Sequence, residues 1–254
     1  MRAVPDAAAT YRDFLYPLNV FMHILSTEEG EVSYLHYGLF EHDDEPIGIA
    51  QERSTELLLS RLPSPPARLL EAGIGLGTTL KRLATLGYDV EGLTPDAQQI
   101  AAIRARYDDE LRVHCAPFET FDTGRMYDTI IFQESSQYID ADALFTRAAA
   151  LAPHIIVLDE FALEPVEGLH SLLGFLEAAT RHGFELTESL DLSAKAAPTM
   201  QYFKDRIPGY RAALVADLGL SDAQLDDLIA SGTKYIERYA TGVYGYRLLQ
   251  FGVR

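Results

Sequence analysis

One cysteine, Cys115, stands in 254 residues, and tryptophan is absent. A single thiol excludes an intramolecular disulfide framework and a Cys-rich zinc site. Basic side chains are scarce too: 21 Lys and Arg face 38 Asp and Glu, for a formal net charge of −17. Such a surface repels phosphodiester backbones and anionic membranes, so no nucleic-acid partner is expected. Apolar runs stay below the ~18 residues that a membrane-spanning helix needs, and the N-terminus lacks the basic-then-apolar order of a signal peptide. The expectation is a cytoplasmic chain with no membrane insertion. Net charge is a far-field property, however, and leaves the sign of a small substrate open.

What is present is enough apolar material, 48% of residues, for one sizeable core. No internal repeat or linker divides it. Residues 6–30 place Tyr11, Phe14, Leu15, Leu18, Phe21, Met22 and Leu25 at helical spacing, interrupted by Pro17. One or two short covering helices are expected there. A loop with Tyr34, His36 and Tyr37 follows, then the acidic turn from His42 through Asp43, Asp44 and Glu45 to Pro46. A helix over about 49–62 is stopped by Pro63, Pro65 and Pro66. Apolar runs then alternate with helices: strand 67–72, helix 77–86, strand 89–93, helix 95–107, short strand 111–115, strand 128–132, helix 140–151, strand 154–159, helix 168–182. Thr94 is the expected N-cap of the helix at 95–107, with Pro95 at its first position. This pattern predicts a parallel sheet covered on both faces. Strand 184–192, helices near 198–216 and 221–239, and a last strand 244–251 complete the chain.

The most informative stretch is Arg68-Leu-Leu-Glu-Ala-Gly-Ile-Gly-Leu-Gly-Thr-Thr-Leu80. A buried strand ends in an acid, Glu71, and glycines follow at every second position: Gly73, Gly75 and Gly77. Glycine tolerates positive φ and has no Cβ to hold a ligand away, so the bend suits close backbone approach. Glu71, two residues upstream, is what a cationic amino-acid ligand would want. The third glycine of the dinucleotide pattern is missing, and Thr94 stands where an acid would grip a nicotinamide cofactor's ribose.

These features resemble motif I of the class I S-adenosylmethionine (SAM) dependent methyltransferases. The resemblance runs from Tyr34 to Asp159. Within it, the Thr94–Gln99 segment and the Ala116-Pro-Phe118-Glu119 segment are similar to the cyclopropane-fatty-acid synthase-like branch, whose second strand reads Gly-Val-Thr-Leu-Ser-x-x-Gln. The resemblance implies a Rossmann-like α/β fold: seven strands, mostly parallel, helices on both faces, and an antiparallel last strand. It implies SAM as cofactor and S-adenosylhomocysteine as product. It implies that Thr94 and Gln99 face the ribose, that Phe118 and Glu119 wall the adenine, and that Tyr34 and Gln133 lie beside the methionine. The synthases read Phe-Glu-His where this chain reads Ser136-Gln137-Tyr138, so the resemblance covers the cofactor half and not the lipid half. The N-terminal stretch is also similar to methyltransferase modules beside bacterial glycan-assembly enzymes, which adds glycans to small molecules as acceptors.

Methyl transfer from a sulfonium is an in-line displacement, so the protein mostly supplies alignment, with a base where the nucleophile carries a proton. Glu134, directly after the fourth strand, is the first candidate base; Tyr138, and His36 and Tyr37 from the cap, are the others, with Asp159 and Glu160 at the fifth strand's end. Glu160, Met200, Tyr202 and Phe203 are expected at the acceptor. No third ligand accompanies Asp159 and Glu160, so no metal is expected. The expected organisation is a helical cap over 1–62 and a methyltransferase core over 63–254, with a helical lid at about 195–240. The expected activity is methyl transfer to an O, N or C nucleophile, by a monomer or homodimer. The rivals are a non-catalytic binding subunit of this fold and an NAD-dependent oxidoreductase.

Overall fold

Short runs of apolar residues make the sheet. The computed structural model describes residues 11–42 and 44–254. Residues 6–10 of the expected N-terminal helical stretch, and Asp43 of the acidic turn, lie outside the described residues. Strands β1 (Arg68–Ala72), β2 (Asp89–Thr94), β3 (Val113–Cys115), β4 (Thr129–Gln133), β5 (His154–Ala162), β6 (Phe184–Asp191) and β7 (Tyr244–Val253) form one seven-stranded sheet. Its order is β3-β2-β1-β4-β5-β7-β6. The first five strands run parallel, and β7 is antiparallel to both β5 and β6. All five residues of β4 are buried, as a central strand covered on both faces requires. The order reverses between β1 and β4, and the crevice outside their carboxyl ends is where open α/β sheets bind ligands.

The helices are α1 (Leu18–Glu29), α2 (Ile47–Leu59), α3 (Thr78–Thr85), α4 (Ala97–Tyr107), α5 (Ala141–Ala149), α6 (Leu172–Arg181), α7 (Ser193–Ala196), α8 (Pro198–Leu218) and α9 (Asp222–Ala240). Pro17 stands at the N-cap position of α1, so the proline starts the helix. Helix α4 starts two residues later than expected. Asp96 is its N-cap and accepts from the Gln98 and Gln99 amides, whereas Thr94 closes β2. A carboxylate is as good a cap as a threonine hydroxyl, and Asp96 has the extended backbone a cap needs. Strand β5 runs past the expected stop at Asp159, because β7 pairs with it through Ala162.

Helix α1 buries Val20, Met22, Ile24 and Leu25 against Tyr202, Phe203, Ile207 and Leu214 of α8, so the first helix and the late helices share one apolar cluster. Ring centroids of Phe21 and Phe203 are 4.5 Å apart. The segment between α1 and α2 is stitched to the same region: the Gly38 amide donates to Thr199 Oγ1 at 3.1 Å, and the Phe40 amide to the Lys195 carbonyl at 2.8 Å. This segment lies over the carboxyl ends of the strands. None of the helices among the described residues is long and apolar enough to cross a membrane.

Candidate active site

The bend after β1 needs its glycines. Gly73, Gly75 and Gly77 take φ of 81°, 50° and 75°. A Cβ on Gly73 would stand 2.2 Å from Ser135 Cβ in the loop after β4, a distance no side chain tolerates. Just upstream, Glu71 is 3% exposed, and its Oε2 has no hydrogen-bond partner. Burial alone pushes its carboxyl up to about 8, since no cation lies near to favour the charged form. Across the same space the Gln133 Nε2 is also buried without a partner, while its Oε1 lies 3.4 Å from Thr79 Oγ1. Both side chains line a cavity of about 50 Å³ over the glycine bend, roofed by residues 33–36. The roof is tied down. Thr78 donates to the Ser33 carbonyl, Arg106 to the Val32 carbonyl at 3.0 Å, and the Tyr34 hydroxyl to Glu52 at 2.7 Å, where Arg82 also pairs.

On the β2 side, Thr94 donates to Gln99 Oε1 at 2.8 Å and accepts from the Asp96 amide at 3.2 Å, so the structure joins the two residues expected at a ribose. The adenine wall fares differently. Phe118 is buried, packs edge-on against Phe132 at 5.0 Å and belongs to the core beneath α5; Glu119 is exposed beside it. Phe118, expected with Glu119 to wall the adenine, is thus a core residue in the ligand-free chain.

The ends of β4 and β5 build a chamber of carboxylates and tyrosines. Glu134 adopts φ 55°, a left-handed conformation rare outside glycine, and its Oε1 accepts from the Tyr37 amide and the Tyr246 hydroxyl. The Tyr37 and Tyr246 rings stack at 5.7 Å with a 6° tilt. Glu160 Oε1 accepts from the Tyr239 hydroxyl at 2.6 Å. Asp159 Oδ2 accepts from the Ser136 amide at 2.9 Å and its hydroxyl at 2.6 Å. Desolvation raises all three acids: Asp159 to about 6, Glu160 to about 7, and Glu134 well above the carboxylate range. Each is also raised by, or raises, its carboxylate neighbours, and no Lys, Arg or His is among the causes.

Two expected bases are corrected by these contacts. Glu134 spends one oxygen on the Tyr37 amide and the Tyr246 hydroxyl, and burial favours its protonated form, so it is not a free carboxylate facing the methyl. His36 is buried with both nitrogens engaged: Nδ1 donates to the Tyr37 carbonyl at 3.0 Å, and Nε2 accepts from Thr55 at 3.0 Å. Burial lowers its pKa to about 4, which fixes a neutral imidazole as a strut between cap and α2. Tyr138 stands 87% exposed on the turn Ser136–Tyr138, within electrostatic reach of Glu134, Asp159 and Glu160.

A larger cavity, about 740 Å³, opens between the 40–45 segment, α7, α8 and α9. Tyr202 lines it, and so does Tyr239, whose hydroxyl reaches Glu160. Phe203, expected at the acceptor, instead packs on Phe21 inside the helical cluster, because it faces α1. Met200 is half-buried on α8 and is not in the cavity wall. Missing from the expectations were Tyr239, Tyr246, Ser136 and Thr55. A signal did exist for two of them: Tyr235 and Tyr239 sit four apart on one helix, and Tyr244 and Tyr246 two apart on one strand, each pair on a shared face.

Neither a protein-family model nor a curated protein sequence matches this chain. Solved structures do resemble it along nearly its whole length. The 4+2 cyclase SpnF superposes with a TM-score of 0.78 at 20% identity, covering 92% of this chain and 93% of that one. The cyclopropane synthase MmaA2 from Mycobacterium tuberculosis gives 0.78 at 19% identity, over 99% and 100%. Geranyl diphosphate C-methyltransferase from Streptomyces coelicolor A3(2), solved with Mg2+, geranyl-S-thiolodiphosphate and S-adenosyl-L-homocysteine, gives 0.69 at 19% identity, over 100% of both chains. The fold is the Rossmann-like methyltransferase fold that these structures share, with the expected sheet.

Proposed function

We propose that the chain is a SAM-dependent methyltransferase acting on a small-molecule or glycan acceptor, with residues 1–62 as a cap and about 195–240 as a lid. The observation that carries this is the pair of unpartnered buried atoms, Glu71 Oε2 and Gln133 Nε2, facing one cavity over the glycine bend. An unpaired acceptor and an unpaired donor in one small space suit the zwitterionic end of an amino acid. Glu71 would hold the ammonium and Gln133 the carboxylate; Thr94 and Gln99, already joined, would meet the ribose hydroxyls. Bound there, SAM supplies a methyl already activated as a sulfonium. The chain's own part is to bury, align and exclude water, with Glu160 near neutrality able to take a proton from the acceptor.

A cavity of about 50 Å³ is far below the ~300 Å³ of an ordinary cofactor pocket, so the roof at 33–37 moves when an adenosyl group enters. The roof is held by hydrogen bonds and ion pairs together with the packing of Leu35 and Tyr37 on the flanking apolar clusters, so admitting the group costs contacts of both kinds. The test is calorimetric titration with SAM, S-adenosylhomocysteine and NAD. Micromolar binding of the first two with none of the third supports the proposal; binding of NAD alone, or of nothing, overturns it. The small volume also favours a second assignment, a binding subunit of this fold that transfers nothing. S-adenosylhomocysteine binding without turnover on any acceptor would favour that one.

A further inference from the structure

We propose that the acceptor is an amine, recognised as a cation by Glu160, which stands behind the wall of the 740 Å³ cavity where the Tyr239 hydroxyl joins the two, an inference that rests on the methyltransferase assignment above. The cavity's wall carries Phe40, Tyr202 and Tyr239, and Tyr239 hands directly on to Glu160. Arg206 already covers a face of Tyr202, which leaves Phe40 and Tyr239 as the rings whose faces can attract a desolvated cation. Around Glu160 stand Tyr37 and Tyr239, with Glu134 and Asp159 beside it and no basic side chain acting on it. A carboxylate or phosphate on the acceptor would meet like charge there without a compensating guanidinium.

A second observation points to a ligand in the same cavity. Tyr202 is 9% exposed and lines it, yet its hydroxyl has no hydrogen-bond partner. Arg206 is the one cation in the wall among the described residues. Its guanidinium lies 3.4 Å from the Tyr202 ring centroid, and its Nε lies 3.6 Å from Glu28 without making a hydrogen bond. Acids dominate the mouth, at Asp44, Glu45, Asp191 and Asp205, although Arg53 and Arg247 pair with Glu45 and Asp191. The approach thus runs from a mildly acidic rim to an acid chamber without a counter-cation.

The chemistry balances. An ammonium first gives one proton to the Glu160 carboxylate, which releases it to water. The freed nitrogen lone pair then forms the N–C bond as the C–S bond of the sulfonium breaks and sulfur keeps that electron pair. Burial that raises Glu160 makes it a matched acceptor for such a proton near neutrality.

The probes are choline and 3,3-dimethylbutan-1-ol, nearly the same shape and differing in charge, titrated into the S-adenosylhomocysteine-saturated full chain and read by saturation-transfer NMR. Choline is expected to bind at least tenfold more tightly than the alcohol. In Glu160→Gln the ratio should fall to within twofold while S-adenosylhomocysteine affinity stays within twofold of the parent. Tyr239→Phe, which keeps the ring, should retain the preference for choline. Equal binding of the two probes, tighter binding of the alcohol, or no binding of choline overturns the proposal, as does a preference that survives Glu160→Gln. Should that variant not fold, the parent's ratio alone decides. Failure to bind S-adenosylhomocysteine at all would instead strike the methyltransferase assignment.

Discussion

Glu71 makes the affinity for S-adenosylhomocysteine depend on pH in a direction that can be worked out beforehand. In the structure its carboxyl is 3% exposed, has an oxygen without a partner, and is pushed up to about 8 by desolvation alone. An amino-acid ammonium in the adjoining cavity needs the ionised form, so binding expels a proton wherever the ligand-free residue holds one. With a pKa of about 8, the ionised fraction is about one half at pH 8, roughly one tenth at pH 7 and roughly one hundredth at pH 6. The apparent dissociation constant should therefore rise on the order of fifty-fold from pH 8 to pH 6, with roughly 0.9 proton released per ligand at pH 7. Calorimetry in two buffers of different ionisation heat measures both quantities. S-adenosylhomocysteine is the better probe, since it lacks the sulfonium that would also sense Glu134 and Glu160. Glu71→Gln should bind weakly and with a flat profile. A flat profile in the parent, tighter binding at pH 6, or an unchanged slope in Glu71→Gln would refute the assignment of this carboxylate.

Gly75→Ala places a methyl 3.4 Å from Leu35 Cδ1 at φ 50°, so it should cost about 1–2 kcal/mol in urea unfolding and weaken S-adenosylhomocysteine by more than tenfold; unchanged affinity would remove the bend from the site. Tyr246→Phe leaves Glu134 with the Tyr37 amide alone, and a loss of about 1–3 kcal/mol with faster proteolysis within residues 30–46 is expected. Asp96→Ala should lower stability by about 1 kcal/mol through loss of the α4 cap, whereas Thr94→Val should leave the helix intact. The ligand-free chain should melt at a lower temperature at pH 8 than at pH 5. Folded Glu71, Glu160 and Asp159 hold protons from their ordinary 4.5, 4.5 and 3.8 up to about 8, 7 and 6, where the unfolded chain has released them, and the melting scan reads the difference.

The sheet was legible because its strands are short apolar runs between helices, a pattern that admits few topologies. The glycine bend was legible for a similar reason: three glycines beside a buried acid have few other uses. What escaped was assembled across distance. Glu134 reads as the first candidate base because it follows a strand directly, yet a tyrosine from β7 and an amide from the cap meet on it, from positions 112 and 97 residues away. His36 likewise reads as a lone histidine near a site until Thr55, on a helix 19 residues on, takes its second nitrogen. Phe118 could be core or stacking face by sequence, and only Phe132 and the helix above it decide. Boundaries went astray where two local signals competed, as at Thr94 and Asp96. At β5 an acidic pair ended the expected strand, although pairing with Tyr246, Gly245 and Tyr244 carries it three residues further.

The strap of chain from Ser33 to Glu45 runs from one cavity to the other, with Phe40, Asp44 and Glu45 in the wall of the larger. Residues 33–36 roof the space beside Glu71, and the next residue, Tyr37, gives its amide to Glu134 and sets its ring beside Glu160 and Tyr246. Gln51 holds the strap from behind, donating to the His36 carbonyl at 2.7 Å and the Tyr34 carbonyl at 3.3 Å. A rearrangement at 33–36 large enough to admit an adenosyl group therefore pulls on Tyr37, whose amide is one of the two donors to the Glu134 side chain among the described residues. The buried acids make this connection electrostatic as well as mechanical: each gains from any cation that enters, whichever cavity it enters by. The chain's excess of carboxylates thus includes, at the strand ends, a set of desolvated acids whose ionised form a positive ligand favours.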